Sequence, residues 1–241
     1  VAELFHITLE GGNLNEFDSL TQSTYLSATT GSALVGTYGM AVDTTSAAGV
    51  DPHGNMTGVT VSGTAIRWRM YVDPNDISMA SGERIAFGVI RTDGTVGGVS
   101  TIGRFILRNN GGTYEAGHYH ETDSGGSQTV LSTMPTEPFY IEAVIVQATN
   151  ATSNDGYHQC WFNGVSQGSD TGLDNYDQFN AINGEFRMGA DDLGANTTGT
   201  LYVDDFIVRD DTTEIGAAPS GVDVTPAAAS AGADSVDPEV L

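Results

Sequence analysis

The chain is expected to be all-β, a two-sheet antiparallel sandwich, on three observations. Gly, Thr, Ser, Asn and Asp are abundant while Leu and Glu are scarce and lysine is missing, a composition of strands and turns rather than long helices. Short runs alternate apolar and polar residues, most clearly Ile66, Trp68, Met70 and Val72 against Arg67, Arg69 and Tyr71. Turn signals such as Asn109-Asn110-Gly111-Gly112 and Asn163-Gly164 separate those runs at the short intervals a sandwich requires.

In chain order, Leu4 to Leu9 reads as a first strand, with Glu10-Gly11-Gly12 ending it. Gly36 to Val42 reads as a second, and Asp43 to Gly58, containing Asp51-Pro52-His53-Gly54, as a long loop. Thr64 to Asp73 is a strand stopped by Asp73-Pro74-Asn75-Asp76. Arg84 to Arg91, Ile102 to Asn109 and Thr113 to His120 form three consecutive strands, and Ser124 to Ser127 a turn. From Phe139 to Arg209 the pattern is strand, turn, strand, Asn-Gly turn, short strand, long loop, strand, turn, strand. The total is about ten to twelve strands in one domain over 1–210, a length that hides roughly 70% of the unfolded surface. Residues 211–241, rich in Ala, Ser, Pro and Asp, form a C-terminal arm expected to be extended or disordered unless a partner holds it.

The formal charge is −23, and all eight basic residues are arginine. Such a balance disfavours nucleic acid and anionic membranes and suits cations, high salt or a basic partner. No segment approaches the ~20-residue apolar run of a membrane helix, so insertion is not expected. The single cysteine, Cys160, lies beside Trp161 in an apolar strand and reads as a core residue. Val1 to Glu10 lacks a basic region followed by an apolar core, so synthesis without a cleaved export signal is the expectation.

Asp155 to Val165 (DGYHQCWFNGV) resembles a hairpin of concanavalin A-like, laminin-G-like jelly rolls, and Gly199 to Val208 (GTLYVDDFIV) is similar to their closing strand. The resemblance covers roughly residues 3–210 and implies a jelly-roll sandwich whose members bind sugars, cleave them or serve as virion and adhesin parts. It also implies a calcium site between first and last strands, for which Glu10 with Asp204 or Asp205 is the candidate set, but a structural Asp–Arg pair or turn hydrogen bond is the stronger reading of these aspartates, which are expected on opposite faces of their strand. The β-glucanases of this group carry Glu-x-Asp-x-x-Glu; here Glu121-Thr122-Asp123 begins that pattern, but Gly126 stands in the third carboxylate's place.

His118-x-His120, followed by Glu121 and Asp123, puts two imidazoles on one strand face at a spacing a transition metal accepts. With no third ligand in the run, they read as exposed hairpin histidines. Arg67 with Arg69, and Arg104 with Arg108, each share a face and are expected to pair with cross-strand carboxylates or to meet an acidic glycan or partner. Tyr71, Tyr114, Tyr119 and Tyr176 are candidates for stacking on sugar rings. No nucleophile elbow, phosphate loop or His-Glu-x-x-His occurs. The expectation is therefore a non-catalytic virion-surface decoration protein of a bacteriophage, using its arm for contacts with other subunits and copies of itself. An extracellular carbohydrate-binding module comes second, and a divergent glycosidase or polysaccharide lyase third.

Overall fold

The computed structural model describes residues 3–219, apart from 46, 48, 97–98, 124–126 and 181–182. The strands are β1 (Glu3–Ile7), β2 (Ser19–Thr21), β3 (Leu26–Thr29), β4 (Gly39–Asp43), β5 (His53–Thr60), β6 (Ala65–Asp73), β7 (Arg84–Val96), β8 (Val99–Asn110), β9 (Thr113–Glu121), β10 (Ser127–Thr133), β11 (Phe139–Val146), β12 (Gly156–Phe162), β13 (Val165–Leu173), β14 (Asn183–Asp191) and β15 (Thr200–Arg209). A short helix, α1 (Tyr176–Asn180), precedes β14.

They form two antiparallel sheets. Sheet A has the order β13-β12-β11-β6-β15-β4-β3, with β1 beside β15; sheet B has the order β10-β9-β8-β7-β14-β5-β2. Strand β15 serves two partners along one edge, pairing its first half with β4 and its second half with β1. The chain is thus a jelly-roll sandwich, as the alternation and turn spacing lead one to expect.

The core lies between the sheets. From β6 the side chains of Ile66, Trp68, Met70 and Val72 enter it, each with no exposed surface. Trp68 stacks on Phe105 of β8 at 3.8 Å between ring centres and 11° between planes, tying one sheet to the other. Each such aromatic or aliphatic side chain contributes roughly 1.5–3 kcal/mol by leaving water. Cys160 is buried there as expected, and burial pushes its thiol pKa up. The Asn163-Gly164 turn between β12 and β13 has φ of 48° and 77°, the left-handed pair that a two-residue hairpin demands.

Several expectations shift. Residues 43–58 are not one loop, because β5 starts at His53 and pairs with β14 and β2. Its opening His-Gly-Asn hides the strand, since Gly54 lies under the ring of Phe17, where a Cβ would come within 2.5 Å. His118 and His120 are not exposed hairpin residues but fully buried. Alternation put them on one face correctly; that face is the core. The expected alternation of Asp204 and Asp205 fails because β15 bulges against β6 between Asp204 and Ile207, with Asp205 at φ 52°. Val203 and Phe206, three apart, therefore both reach the core. The turn expected at Ser124 to Ser127 falls mostly outside the described residues.

Candidate active site

Period-two geometry decides what each sheet shows to the outside. In β8, Phe105 and Leu107 enter the core, so Arg104, Ile106 and Arg108 face outward. In β9, Ala116 and His118 go inward, leaving Glu115, Tyr119 and Glu121 outside; in β14, Phe186 and Met188 go inward, leaving Glu185 and Arg187. Arg84 and Arg91 of β7 join them around a cleft of about 300 Å³ whose walls also include Asp51, Thr101, Arg104, Asp191 and Asp192. Five of the eight arginines thus share the outer face of sheet B, around a small apolar centre of Ala86, Val89 and Ile106. In a chain of charge −23, that is a local concentration of arginines, set among Glu115, Glu121, Glu185, Asp51, Asp191 and Asp192.

Most of these guanidinium groups are tightly held. Arg108 bonds Glu115, its directly opposed neighbour in register, at 2.6 Å. Arg187 grips Glu185 through Nε and Nη2 at 3.0 and 3.1 Å and Asp191 at 3.1 Å. Arg84 meets Asp192 at 2.5 Å. Arg104 differs. Its closest described carboxylates, Glu121 and Asp192, stand at 3.8 Å, beyond hydrogen-bond distance. Its Nη2 donates to Thr101 Oγ1 at 3.3 Å, and its buried Nε has no partner.

Tyr119 lies beside this arginine, with the guanidinium 5.4 Å from the ring centre, and its hydroxyl donates to Glu121 Oε1 at 3.3 Å. The arrangement provides an under-used cation, a phenol and a carboxylate on adjacent strands next to an open polar cleft. Asp191 and Asp192, which close the cleft, were not singled out from sequence. The available signal was an Asp-Asp pair before Leu-Gly at the end of a strand; in the structure Asp191 closes β14 and Asp192 takes the left-handed region at φ 55°, a conformation aspartate tolerates better than most residues.

The remaining predicted residues lie elsewhere. Arg67, Arg69 and Tyr71 occupy the outer face of sheet A, so the predicted ligand surface divides between opposite sides of the sandwich. Arg67 pairs with Glu142, and Arg69 with Asp205, which also meets His6. Of the proposed calcium set, Glu10 accepts from the Thr37 and Tyr38 amides, while Asp204 accepts from Leu34, Val35 and Asp205 N–H at 2.8–2.9 Å. Burial outweighs those donors and raises Asp204 to about 7. Among the described residues, no group of three or more His, Cys, Asp or Glu is placed to hold a metal ion. His118 and His158 instead share a 2.7 Å contact between their Nδ1 atoms, and His120 bonds the Ile102 carbonyl at 2.8 Å. Tyr114 takes the Met79 amide on its hydroxyl.

No family model and no curated protein matches the chain. Solved structures do. An endo-β-1,4-glucuronan lyase from the fungus Trichoderma reesei aligns over 86% of this chain and 95% of its own, with TM-score 0.62 and 13% identity. An alginate lyase from Chlorella virus aligns over 86% and 99%, with TM-score 0.58 and 12% identity. A carbohydrate esterase from Shiga toxin-encoding bacteriophage phi24B aligns over 86% and 98%, with TM-score 0.57 and 11% identity. These neighbours overturn the expectation of a non-catalytic decoration protein, which rested in part on the lack of a recognisable catalytic motif. Sandwiches of this kind carry out polysaccharide cleavage in proteins only about one-eighth identical to this one. What the likeness shows for this chain is its architecture: a concanavalin A-like jelly roll.

Proposed function

We propose that this protein is a polysaccharide lyase, cleaving a uronate-containing chain by β-elimination in the cleft on sheet B. One observation carries the reading: Arg104, beside the cleft, lacks a carboxylate at hydrogen-bond distance among the described residues and stands next to the Tyr119–Glu121 pair. Elimination at a uronate requires those functions. The sugar carboxylate must be neutralised before its neighbouring C5–H becomes acidic, a task for Arg104 with Arg84 across the cleft. Glu121 takes the C5 proton; the electrons form the C4=C5 double bond and the C4–O bond breaks. The departing oxygen takes the Tyr119 phenol proton, and Glu121 then returns a proton to Tyr119 along their shared hydrogen bond. No water is consumed, and both groups regain their starting states.

The names of the neighbours make glucuronan and alginate the first polymers to try. On the polymer that is cut, Tyr119→Phe lowers kcat by about 10²–10⁴-fold and leaves KM nearly unchanged. The readout is the ultraviolet absorbance of the new double bond. Binding of these polyuronates with no unsaturated product from the wild-type chain refutes the lyase reading and leaves a carbohydrate-binding role.

A further inference from the structure

The outer face of sheet A is covered by the chain itself. After β15 the segment 211–219 crosses β6 and β11, and the sandwich holds it through main-chain atoms. Arg67 donates to the Thr212 carbonyl at 3.0 Å and Arg69 to the Gly216 carbonyl at 2.8 Å. Glu142 accepts the Ile215 and Gly216 amides on its two oxygens, both at 2.9 Å, and Tyr71 Oη accepts the Ala218 amide at 2.8 Å. Along the row the face donates to Thr212, accepts from the consecutive Ile215 and Gly216 amides, donates to the Gly216 carbonyl and accepts from Ala218, which follows a backbone turned at Gly216. The side chains doing this are themselves fixed, because Arg67 pairs with Glu142 and lies 4.5 Å from the Trp161 ring centre, and Arg69 pairs with Asp205. The side chains of Arg69 and Glu142 are only 2% exposed. A buried carboxylate accepting two consecutive amides is a charge-assisted grip of the kind that specifies backbone, not side-chain identity.

We infer that this face is a peptide-binding site, selective for a backbone turned at a left-handed glycine, and that residues 211–219 occupy it in cis. The glycine is part of the recognition. Gly216 sits at φ 69° and presents both its N–H and its carbonyl to the face. The partner that fits is a second peptide with the same backbone course, admitted when the resident segment lets go. Neither Arg104 nor Tyr119 takes part, so the inference stands apart from the lyase reading.

Gly216→Pro in the full chain removes one donated N–H and forbids the positive φ, while leaving Arg67, Arg69, Tyr71 and Glu142 untouched. The Ile215 and Ala218 amides are expected to exchange at least about tenfold faster than in the wild type. A synthetic peptide with the sequence of 211–219 should then bind the variant and not the wild type, followed by fluorescence of Trp161. A second peptide, with every residue except the glycine and proline changed to alanine, is expected to bind within about tenfold of the first, since the grip is on the backbone. Gly216→Ala, a milder change at the same φ, should give intermediate exchange. Unchanged exchange in Gly216→Pro, or a released face that ignores the first peptide or accepts it while rejecting the alanine version, overturns the inference.

Discussion

The two outer faces of the sandwich are built from the same residue types and end in opposite physical states. Each sets arginines among carboxylates with a tyrosine alongside: Arg67, Arg69, Glu142 and Tyr71 on sheet A; Arg104, Arg108, Glu121 and Tyr119 on sheet B. On sheet A the charges are dry, paired in close contact and roofed by the chain's own segment. On sheet B the cleft is open, and Arg104 is left with carboxylates only at 3.8 Å. A buried, matched pair is a structural element whose loss costs stability; a half-satisfied cation at a cleft is a site whose loss costs binding or rate.

Matched substitutions test that division most strongly. Arg69→Ala leaves Asp205, 5% exposed, without its guanidinium, and is expected to cost about 3–5 kcal/mol of unfolding free energy. For a domain of this size that lowers Tm by roughly 6–20 °C. Arg104→Ala should change stability by less than about 1 kcal/mol. If the cleft is catalytic, it should reduce kcat by about 10²–10³-fold, as losing one oriented donor does elsewhere. Thermal melts and activity on the same two variants decide the matter. A large stability loss from Arg104→Ala, or a large activity loss from Arg69→Ala at full folding, would erase the distinction.

A smaller effect is expected at Asp192. Its carboxylate occupies Arg84 at 2.5 Å and stands 3.8 Å from Arg104, competing with any acidic ligand for both. Asp192→Asn removes that competitor and makes the cleft more positive. Affinity for a polyanion should rise about threefold to tenfold and fall more steeply with added salt, because more of the binding energy is then Coulombic. Titrations at two ionic strengths suffice, and unchanged affinity would place the ligand away from Asp192.

The faces also show where reading the sequence stops. The alternation in β6 gave correct parity for Ile66, Trp68, Met70 and Val72, because four apolar side chains on one side of a strand leave no other burial. In β9 parity alone was ambiguous: Ala116, His118 and His120 alternate with Glu115, Tyr119 and Glu121, and only the assembled sandwich shows the histidines inside. Arg67-x-Arg69 and Arg104-x-x-x-Arg108 look equivalent as text. What distinguishes them is the segment 211–219, which meets β6 some 145 residues away in sequence and is anchored by main-chain atoms that leave no residue signature. The Asp204–Asp205 bulge is likewise set by pairing with β6 rather than by local composition.

The smallest expected effect belongs to neither face but to the layer between them. His118, His120 and His158 are buried, and burial is the first cause lowering each; His120 falls to about 3. A folded-state pKa below the unfolded value of roughly 6.5 means the unfolded chain binds protons first, so stability declines as pH drops below about 6.5. For His120 the loss continues until about pH 3. Asp204 acts with the opposite sign: raised to about 7, it binds its proton first in the folded state, and its cost is relieved as pH falls from 7 toward its unfolded value of 3.8. Three histidines against one aspartate leave a net loss, and Tm should fall by at least about 4 °C between pH 7 and pH 4.5. His120→Gln, which can still donate to the Ile102 carbonyl and meet Asn175, should flatten that limb, while Asp204→Asn should steepen it. An acid limb unaltered by His120→Gln would assign the loss to the carboxylates of the outer faces instead.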